Sequence, residues 1–351
     1  MSYQVTNRAS GHAFTVEATE TVLDAALRQG IILPYGCRNG ACGSCMGTVV
    51  CGVVHYNGEL PPALSAADAA NHKALFCQAR IRGNLTIQVQ EVDAARDIEI
   101  KNLPCRVEKL EHLAHDVIRI YLRLPPTERL QFLAGQYIEV LIKDHEPRAF
   151  SIANAPYDDE FVELHIRYVK GGLFTDQVFH HMQEKAMLRI RGPLGTFFLR
   201  EDSERPVILI GGGTGFAPLK GMLEHAFETG IRRPLHLFHG VRAKRDLYLG
   251  ELPGRWAAQH ENFRYTPVLS EPLPADEWSE EQGLVTDSVV RQYPDLSGHD
   301  VYMSGPPAMV QAGHRLFRRH RLDESRFFSD AFSYAAVAES LKGLRQRPGS
   351  R

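Results

Sequence analysis

The sequence predicts a multidomain chain of three successive fold types: a small α+β module, an antiparallel β-barrel and a doubly wound parallel α/β sheet. Three observations carry this. At 351 residues the chain exceeds the size at which one hydrophobic core stops growing. Strand-like runs fill it up to about Arg200, with one amphipathic helix near the start, and from Arg205 onward apolar strands alternate with helical segments. Two strands in that last region run straight into Gly/Pro-rich helix starts, as βα turns of a parallel sheet do.

The first module is placed at 1–94, with strands near 3–5, 13–16, 47–54 and 85–89 and a helix near 21–29. The Ala-rich stretch 62–74 reads as a loop and short helix. A charged link, 93–101, leads to the barrel, placed at 102–200, with strands near 117–124, 137–142, 161–168 and 187–191. The sheet module takes 205–333, with strands near 207–210, 235–238, 264–269 and 301–303. A basic tail, 334–351, carries Lys342, Arg345 and Arg347.

Within the first module, Cys37, Cys42, Cys45 and Cys77 have the C-x4-C-x2-C…C spacing of a plant-type [2Fe-2S] site. Four thiolates must converge on two irons, so three come from one tight loop whose glycines let backbone N–H groups turn toward the sulfurs. A structural zinc site would favour paired C-x2-C knuckles. The other two of the six cysteines, Cys51 and Cys105, have no companion at ligand spacing and read as small buried hydrophobes. Thiolate ligands fit a reducing compartment, and neither a leader-like start nor an apolar run of roughly 18 residues is present, so a cytoplasmic protein is expected. The formal net charge of −2 comes with no basic stripe, which argues against a nucleic-acid or membrane partner. His236 and His239 lie three apart on a strand and point to opposite faces; His180, His181, His112 and His115 lack the surroundings of a zinc site. Packing or the surface is the better reading of these histidines.

The sheet module announces a phosphate ligand in the run Ile210 to Pro218. Gly213, Thr214 and Gly215 follow an apolar strand and let the backbone approach a pyrophosphate, while Leu219, Met222, Leu223 and Ala226 recur at helical spacing. Pro218 stands where a dinucleotide fingerprint would place its third glycine, and proline suits a first helical turn. A second such turn, Ser304, Gly305, Pro306 and Pro307, follows the strand at 301–303, and two loops at strand ends can flank a nucleotide crevice.

These two turns resemble the nicotinamide-binding lobe of the ferredoxin-NADP reductase superfamily, with Ser304 where many members have Cys. In the barrel, Arg148-Ala149-Phe150-Ser151 resembles the superfamily's R-x-Y-S flavin motif, with Phe for Tyr, and Lys170, Gly171, Gly172 and Thr175 resemble its FAD diphosphate loop. The resemblance implies a β-grasp ferredoxin module, an FAD-binding barrel and an NAD(P)H-binding sheet. It implies that Arg148 neutralises the FAD pyrophosphate, Phe150 packs on the flavin and Ser151 hydrogen-bonds near its reactive nitrogen. It also nominates Asp330 and Phe332 as flavin neighbours, and Ser151, Ser304 and Asp330 as the catalytic polar groups. The turn Gly192 to Phe197 matches the family but reads as a structural corner.

Over nearly its whole length the chain resembles the oxygenase-reductase members of that superfamily, which place a [2Fe-2S] ferredoxin module before the reductase. Its flavin and nucleotide segments are similar to those of CDP-6-deoxy-3,4-glucoseen reductases. The implied activity is NADH-dependent electron transfer through FAD and the cluster to a partner oxygenase or hydroxylase component. The alternatives are a sugar-nucleotide dehydratase as the acceptor, or a non-catalytic redox sensor or carrier. A hydride carries two electrons and a [2Fe-2S] cluster accepts one, so the flavin must divide the pair. Arg242, Lys244 or Arg245 in the loop after the second sheet strand could hold a 2′-phosphate, but exposed loop charges are usually just solvated. The resemblance implies NADH over NADPH, and a monomer is expected because one chain contains a full relay.

Overall fold

The computed structural model describes residues 2–332, and these fall into two units: 2–99 with 195–197 and 328–331, and 100–194 with 198–327 and 332. The basic tail read at 334–351 lies outside the described residues.

The first unit contains β1 (Ser2–Asn7), β2 (Ala13–Glu17), α1 (Val22–Arg28), β3 (Met46–Cys51), β4 (Val54–His55), α2 (Ala66–Ala70), β5 (Lys73–Leu75), β6 (Arg80–Ile81) and β7 (Leu85–Gln88). Five strands form a mixed sheet in the order β2-β1-β7-β3-β5, with β1 and β7 parallel. Helix α1 forms because Thr21 caps it, accepting from Asp24 N–H at 3.1 Å, and it buries Val22, Leu23, Ala25 and Ala26. Leu23 and Phe76 are fully buried in this core, each contributing about 1.5–3 kcal/mol by leaving water. Cys51 departs from expectation. It is exposed at the end of β3, because a register shift between Val49 and Cys51 turns the strand there.

The second unit begins with β8 (Lys101–Ala114), β9 (Val117–Arg123), β10 (Tyr137–Val140), β11 (Arg148–Ser151), β12 (Val162–Arg167), α3 (Leu173–His180) and β13 (Met187–Leu194). The order β11-β10-β13-β8-β9-β12 is antiparallel, and an Ile152–Leu164 bridge brings the two edges together as a nearly closed barrel. The 14-residue β8 is hard to read in the sequence. Its alternation of Leu103, Cys105 and Val107 is broken by a register shift between Val107 and Lys109. Cys105 is buried as expected, and burial pushes its thiol up to about 12.

The chain continues through β14 (Val207–Gly212), α4 (Phe216–Glu228), β15 (Leu235–Val241), α5 (Glu251–Gln259), β16 (Phe263–Leu269), β17 (Glu281–Gln282), α6 (Val285–Gln292), β18 (Asp300–Gly305), α7 (Pro307–Arg319) and β19 (Phe327–Ala331). Strands β17-β16-β15-β14-β18 are parallel neighbours. The chain winds outward from β14 to β16 and then returns to β14's other side as β18. The ends of β14 and β18 therefore form the switch point where such sheets bind ligands.

Candidate functional site

In the first unit the cysteine loop brings its sulfurs together. Cys42, Cys45 and Cys77 are buried and Cys37 is partly so. Cys37 donates a hydrogen bond to the Cys42 sulfur, which holds the Cys37 thiol up and the Cys42 thiol down; Cys45 donates to Cys77 and is likewise held up. The Cys42 N–H also points at Cys37 Sγ, at 3.3 Å. Four soft sulfurs gathered as two bonded pairs, with the Cys42 and Ser44 N–H groups aimed at two of them, fit the donor set of a [2Fe-2S] cluster. Gly40 has a positive φ, and a side chain there would strike Pro61 at 2.7 Å.

Two later segments pack onto this loop within the same unit. Ser44 Oγ donates to Ser329 O at 2.6 Å, and Ser329 Oγ donates to Cys42 O at 3.1 Å. A Cβ on Gly36 would sit 3.4 Å from both Asp330 Oδ1 and Cys42 Sγ, so the nominated Asp330 lies against the cysteine loop. Tyr35 N–H donates to Thr196 Oγ1 at 2.8 Å, which makes the 195–197 turn a prop for the loop as well as a corner.

In the second unit the two nucleotide turns meet. Gly211 pairs with Ser304 across β14 and β18, and a Cβ on Gly215 would come within 2.0 Å of Ser304 O. Glycine there is demanded by close approach. Gly213 lies under Arg167, whose Nη1 is 2.7 Å from where its Cβ would be, and Thr214 and Pro218 are buried at the start of α4. No side chain caps α4 or α7, which Gly215 and Pro306 lead into. Ser304 is fully buried and its Oγ has no hydrogen-bond partner among the described residues. An orphaned hydroxyl beside two uncapped helix starts fits a dinucleotide with an amide-bearing ring. Phe332 N–H donates to Gly305 O at 3.0 Å, which places Phe332 at the same turn.

The flavin candidates lie on the barrel. Arg148 and Phe150 are partly exposed on β11, Ser151 is buried opposite Tyr137, and Phe150 lies 5.4 Å from Phe174. Lys170 and Gly171 are exposed and Gly172 leads into α3 without a side-chain cap. Thr175 is buried with its hydroxyl taken up by the loop, bonded to Val169 O at 2.9 Å and Gly172 O at 3.1 Å. An open cationic loop before an uncapped helix fits a diphosphate.

Known proteins agree with this geometry. Descriptions of a 2Fe-2S iron-sulfur cluster binding domain, an oxidoreductase FAD-binding domain and an oxidoreductase NAD-binding domain match residues 5–82, 104–199 and 209–315. The CDP-6-deoxy-L-threo-D-glycero-4-hexulose-3-dehydrase reductase of Yersinia pestis is 38% identical over 95% of this chain and 99% of its own length. The chain belongs to the iron–sulfur flavoprotein reductases of the ferredoxin-NADP reductase superfamily. The reductase subunit of an Amycolatopsis aromatic O-demethylase is 37% identical to it over 93% of this chain and 98% of that protein. A solved Amycolatopsis cytochrome P450 reductase superposes with a TM-score of 0.73 at 35% identity, covering 94% of this chain and 98% of that one. This reductase is thus an NAD(P)H-dependent oxidoreductase with FAD and a [2Fe-2S] cluster as its cofactors. No helix among its described residues is long and apolar enough to cross a membrane.

Sequence reasoning missed one polar group of the reductase. Lys220 of α4 is buried and bonds Ala153 O at 3.2 Å, Glu163 Oε2 at 3.1 Å and Glu224 Oε2 at 3.0 Å. Glu163 bonds His165 Nε2 at 2.8 Å, and His165 Nδ1 meets Tyr248 OH at 3.1 Å. Burial alone would raise the Glu163 carboxyl, but its bonds to His165 and Lys220 outweigh that and hold it down at about 2. This chain joins the strand after the flavin motif to α4 and to the loop after β15. The only signal in the sequence was three ionisable residues, Glu163, His165 and Lys220, at otherwise apolar positions.

His236 and His239 are packing groups, as expected. His236 bonds Tyr293 OH and Thr266 Oγ1, and His239 Nε2 lies 3.1 Å from Gly213 O with its ring stacked on Phe216.

Proposed function

We propose that this reductase takes hydride from NADH and delivers single electrons to a separate acceptor protein, in the first instance an oxygenase component. The observation that carries the dinucleotide half is the buried, unpartnered Ser304 hydroxyl between two glycine-rich βα turns. When bound, FAD accepts an electron pair as hydride and the cluster passes electrons one at a time.

The chain's own residues hold, orient and shield. Cys37, Cys42, Cys45 and Cys77 are the iron ligands, with the loop amides stabilising sulfur charge. Gly213, Thr214, Gly215, Pro218, Gly305 and Pro306 form the dinucleotide cradle, and Ser304 presents its hydroxyl to the nicotinamide. Arg148, Phe150, Ser151, Lys170, Gly171, Gly172, Thr175 and Phe332 are assigned to FAD. Thr175 acts by fixing its loop, since its hydroxyl is already engaged there. Ser151 and Asp330 complete the polar groups of the redox path. The working modules are 1–94, 102–200 and 205–333, and the working unit is a cytoplasmic monomer.

Preference for NADH is supported by the charge balance of the loop after β15. Arg242 pairs with Asp246 at 3.3 Å, and Lys244 bonds Asp276 twice, its main-chain N–H to the carboxylate at 3.1 Å and its Nζ to the backbone carbonyl at 3.3 Å. With Arg242 held by a carboxylate and the Lys244 ammonium by a backbone carbonyl, two of the three loop cations are already engaged, which makes a poor site for an added 2′-phosphate. The test is kcat/KM with each nucleotide, using a one-electron dye as acceptor. NADH is expected to lead by about tenfold or more, equivalent to about 1.4 kcal/mol; equal or better use of NADPH rejects the preference, and turnover too slow to measure with tight nucleotide binding favours a sensor or carrier. The 38% identity to the Yersinia reductase favours a second reading, in which the acceptor is a sugar-nucleotide dehydrase. Reconstituted turnover with each acceptor class separates the two.

A further inference from the structure

Apart from the redox machinery, one group of side chains converges without a stated purpose. His115 and Asp116 form the tip of the hairpin between β8 and β9, and Asp246 lies in the short turn after β15. His115 Nε2 is 3.5 Å from Asp246 Oδ1 and 3.8 Å from Asp116 Oδ1, and one ligand atom from each of the three residues lies within 4.8 Å of the others. The Asp246 side chain is 4% exposed and that of Asp116 17%.

Each carboxylate has one oxygen engaged and one not. Arg167 Nε donates to Asp116 Oδ2 at 2.8 Å, while Ala243 N–H and Arg242 Nε approach Asp246 Oδ2, both at 3.3 Å. The Oδ1 atoms of both aspartates are buried and have no hydrogen-bond partner among the described residues. Two orphaned carboxylate oxygens aimed at one point beside an imidazole nitrogen cost free energy unless something positive sits between them. The arginine and amide bonds to the far oxygens are the outer contacts that orient ligating carboxylates. One imidazole and two carboxylates suit a first-row divalent ion such as zinc or manganese, and the half-exposed His115 leaves a side open to water.

We infer that His115, Asp116 and Asp246 form a divalent transition-metal site that ties the barrel's hairpin to the nucleotide sheet. A metal about 2.1 Å from each ligand holds the donor atoms up to about 4 Å apart, so the observed triangle closes with a shift of less than about 1 Å.

The test uses the holoprotein, with flavin and oxidised cluster in place, after passage over a chelating resin. Mn2+ is the probe, because thiolates compete for it poorly and the oxidised cluster is silent in electron paramagnetic resonance. The expected result is loss of one equivalent of free Mn2+ signal per chain, displacement by Zn2+, and at least tenfold weaker uptake in His115→Ala. His115 is half-exposed, so that variant should keep its flavin and cluster absorbance, and Asp116→Asn gives a second, independent weakening. No uptake at millimolar Mn2+, or uptake unchanged in His115→Ala, overturns the site.

Discussion

Loop 36–45 of the first unit and loop 211–218 of the second both turn on glycines, for opposite reasons. Around the cysteines, glycine lets the backbone fold tightly so that side-chain sulfurs point inward to do the binding. Around Gly215, glycine keeps side chains out, because the backbone of the neighbouring turn occupies the space a Cβ would need. The two units differ in their helices as well. Thr21 and Ser65 cap α1 and α2, whereas no side chain caps any of α3 to α7. The first unit therefore binds through chemistry that only particular residues supply, and the second through backbone groups left available. The first should fail all at once when a ligand is lost, and the second by degrees.

The largest effect expected is in Cys45→Ser. Loss of one ligand should remove the cluster's visible absorbance and cut NADH-driven reduction of cytochrome c at least about a hundredfold, while reduction of ferricyanide from the flavin stays within about twofold. A matching fall in ferricyanide activity would mean that the two units cannot be separated functionally.

Lys220→Met should come next. It strips the amine from the buried Glu163 carboxylate and from the partly buried Glu224, at a cost of about 3–5 kcal/mol, read as a fall of about 10 °C in the unfolding temperature of the larger unit. An unchanged transition would show that the buried chain through Glu163, His165 and Tyr248 adds nothing to stability.

Acid should produce a graded loss in that same unit, smaller for each group than the loss of the Lys220 amine. Burial lowers His236 and His239 to about 4, from 6.5, so folding favours their neutral forms. Their contribution is complete above pH 6.5 and is lost as pH falls through 4, about 2 kcal/mol for each histidine by pH 5. Urea titrations at pH 7.5 and 5.0, followed by tryptophan emission, measure it. Trp256 and Trp278 both lie in the second unit, so equal midpoints at the two pH values would remove the effect.

Legibility followed the same division. Cys37, Cys42 and Cys45 could be read because a cluster fixes residue type and spacing within nine positions of chain, and the βα turns because glycine, proline and an apolar strand occur together. Strand β8 was hidden by its bulge, and Cys51 was misread because the shift beside it turns the strand outward. The Lys220 chain and the His115 group each join distant segments, 57 positions apart from Glu163 to Lys220 and 131 from His115 to Asp246, and no local pattern marks them.

By itself the sequence determined the order of the three modules, the cysteine spacing and the two glycine- and proline-bearing βα turns, because period, spacing and glycine content act over a few residues at a time. Only the tertiary structure decided which polar groups are buried together: Ser304 without a partner, Asp330 against the cysteine loop, Lys220 between two carboxylates. The reason is that a charge's surroundings come from strands distant in sequence, and burial is a property of the assembled fold rather than of any segment.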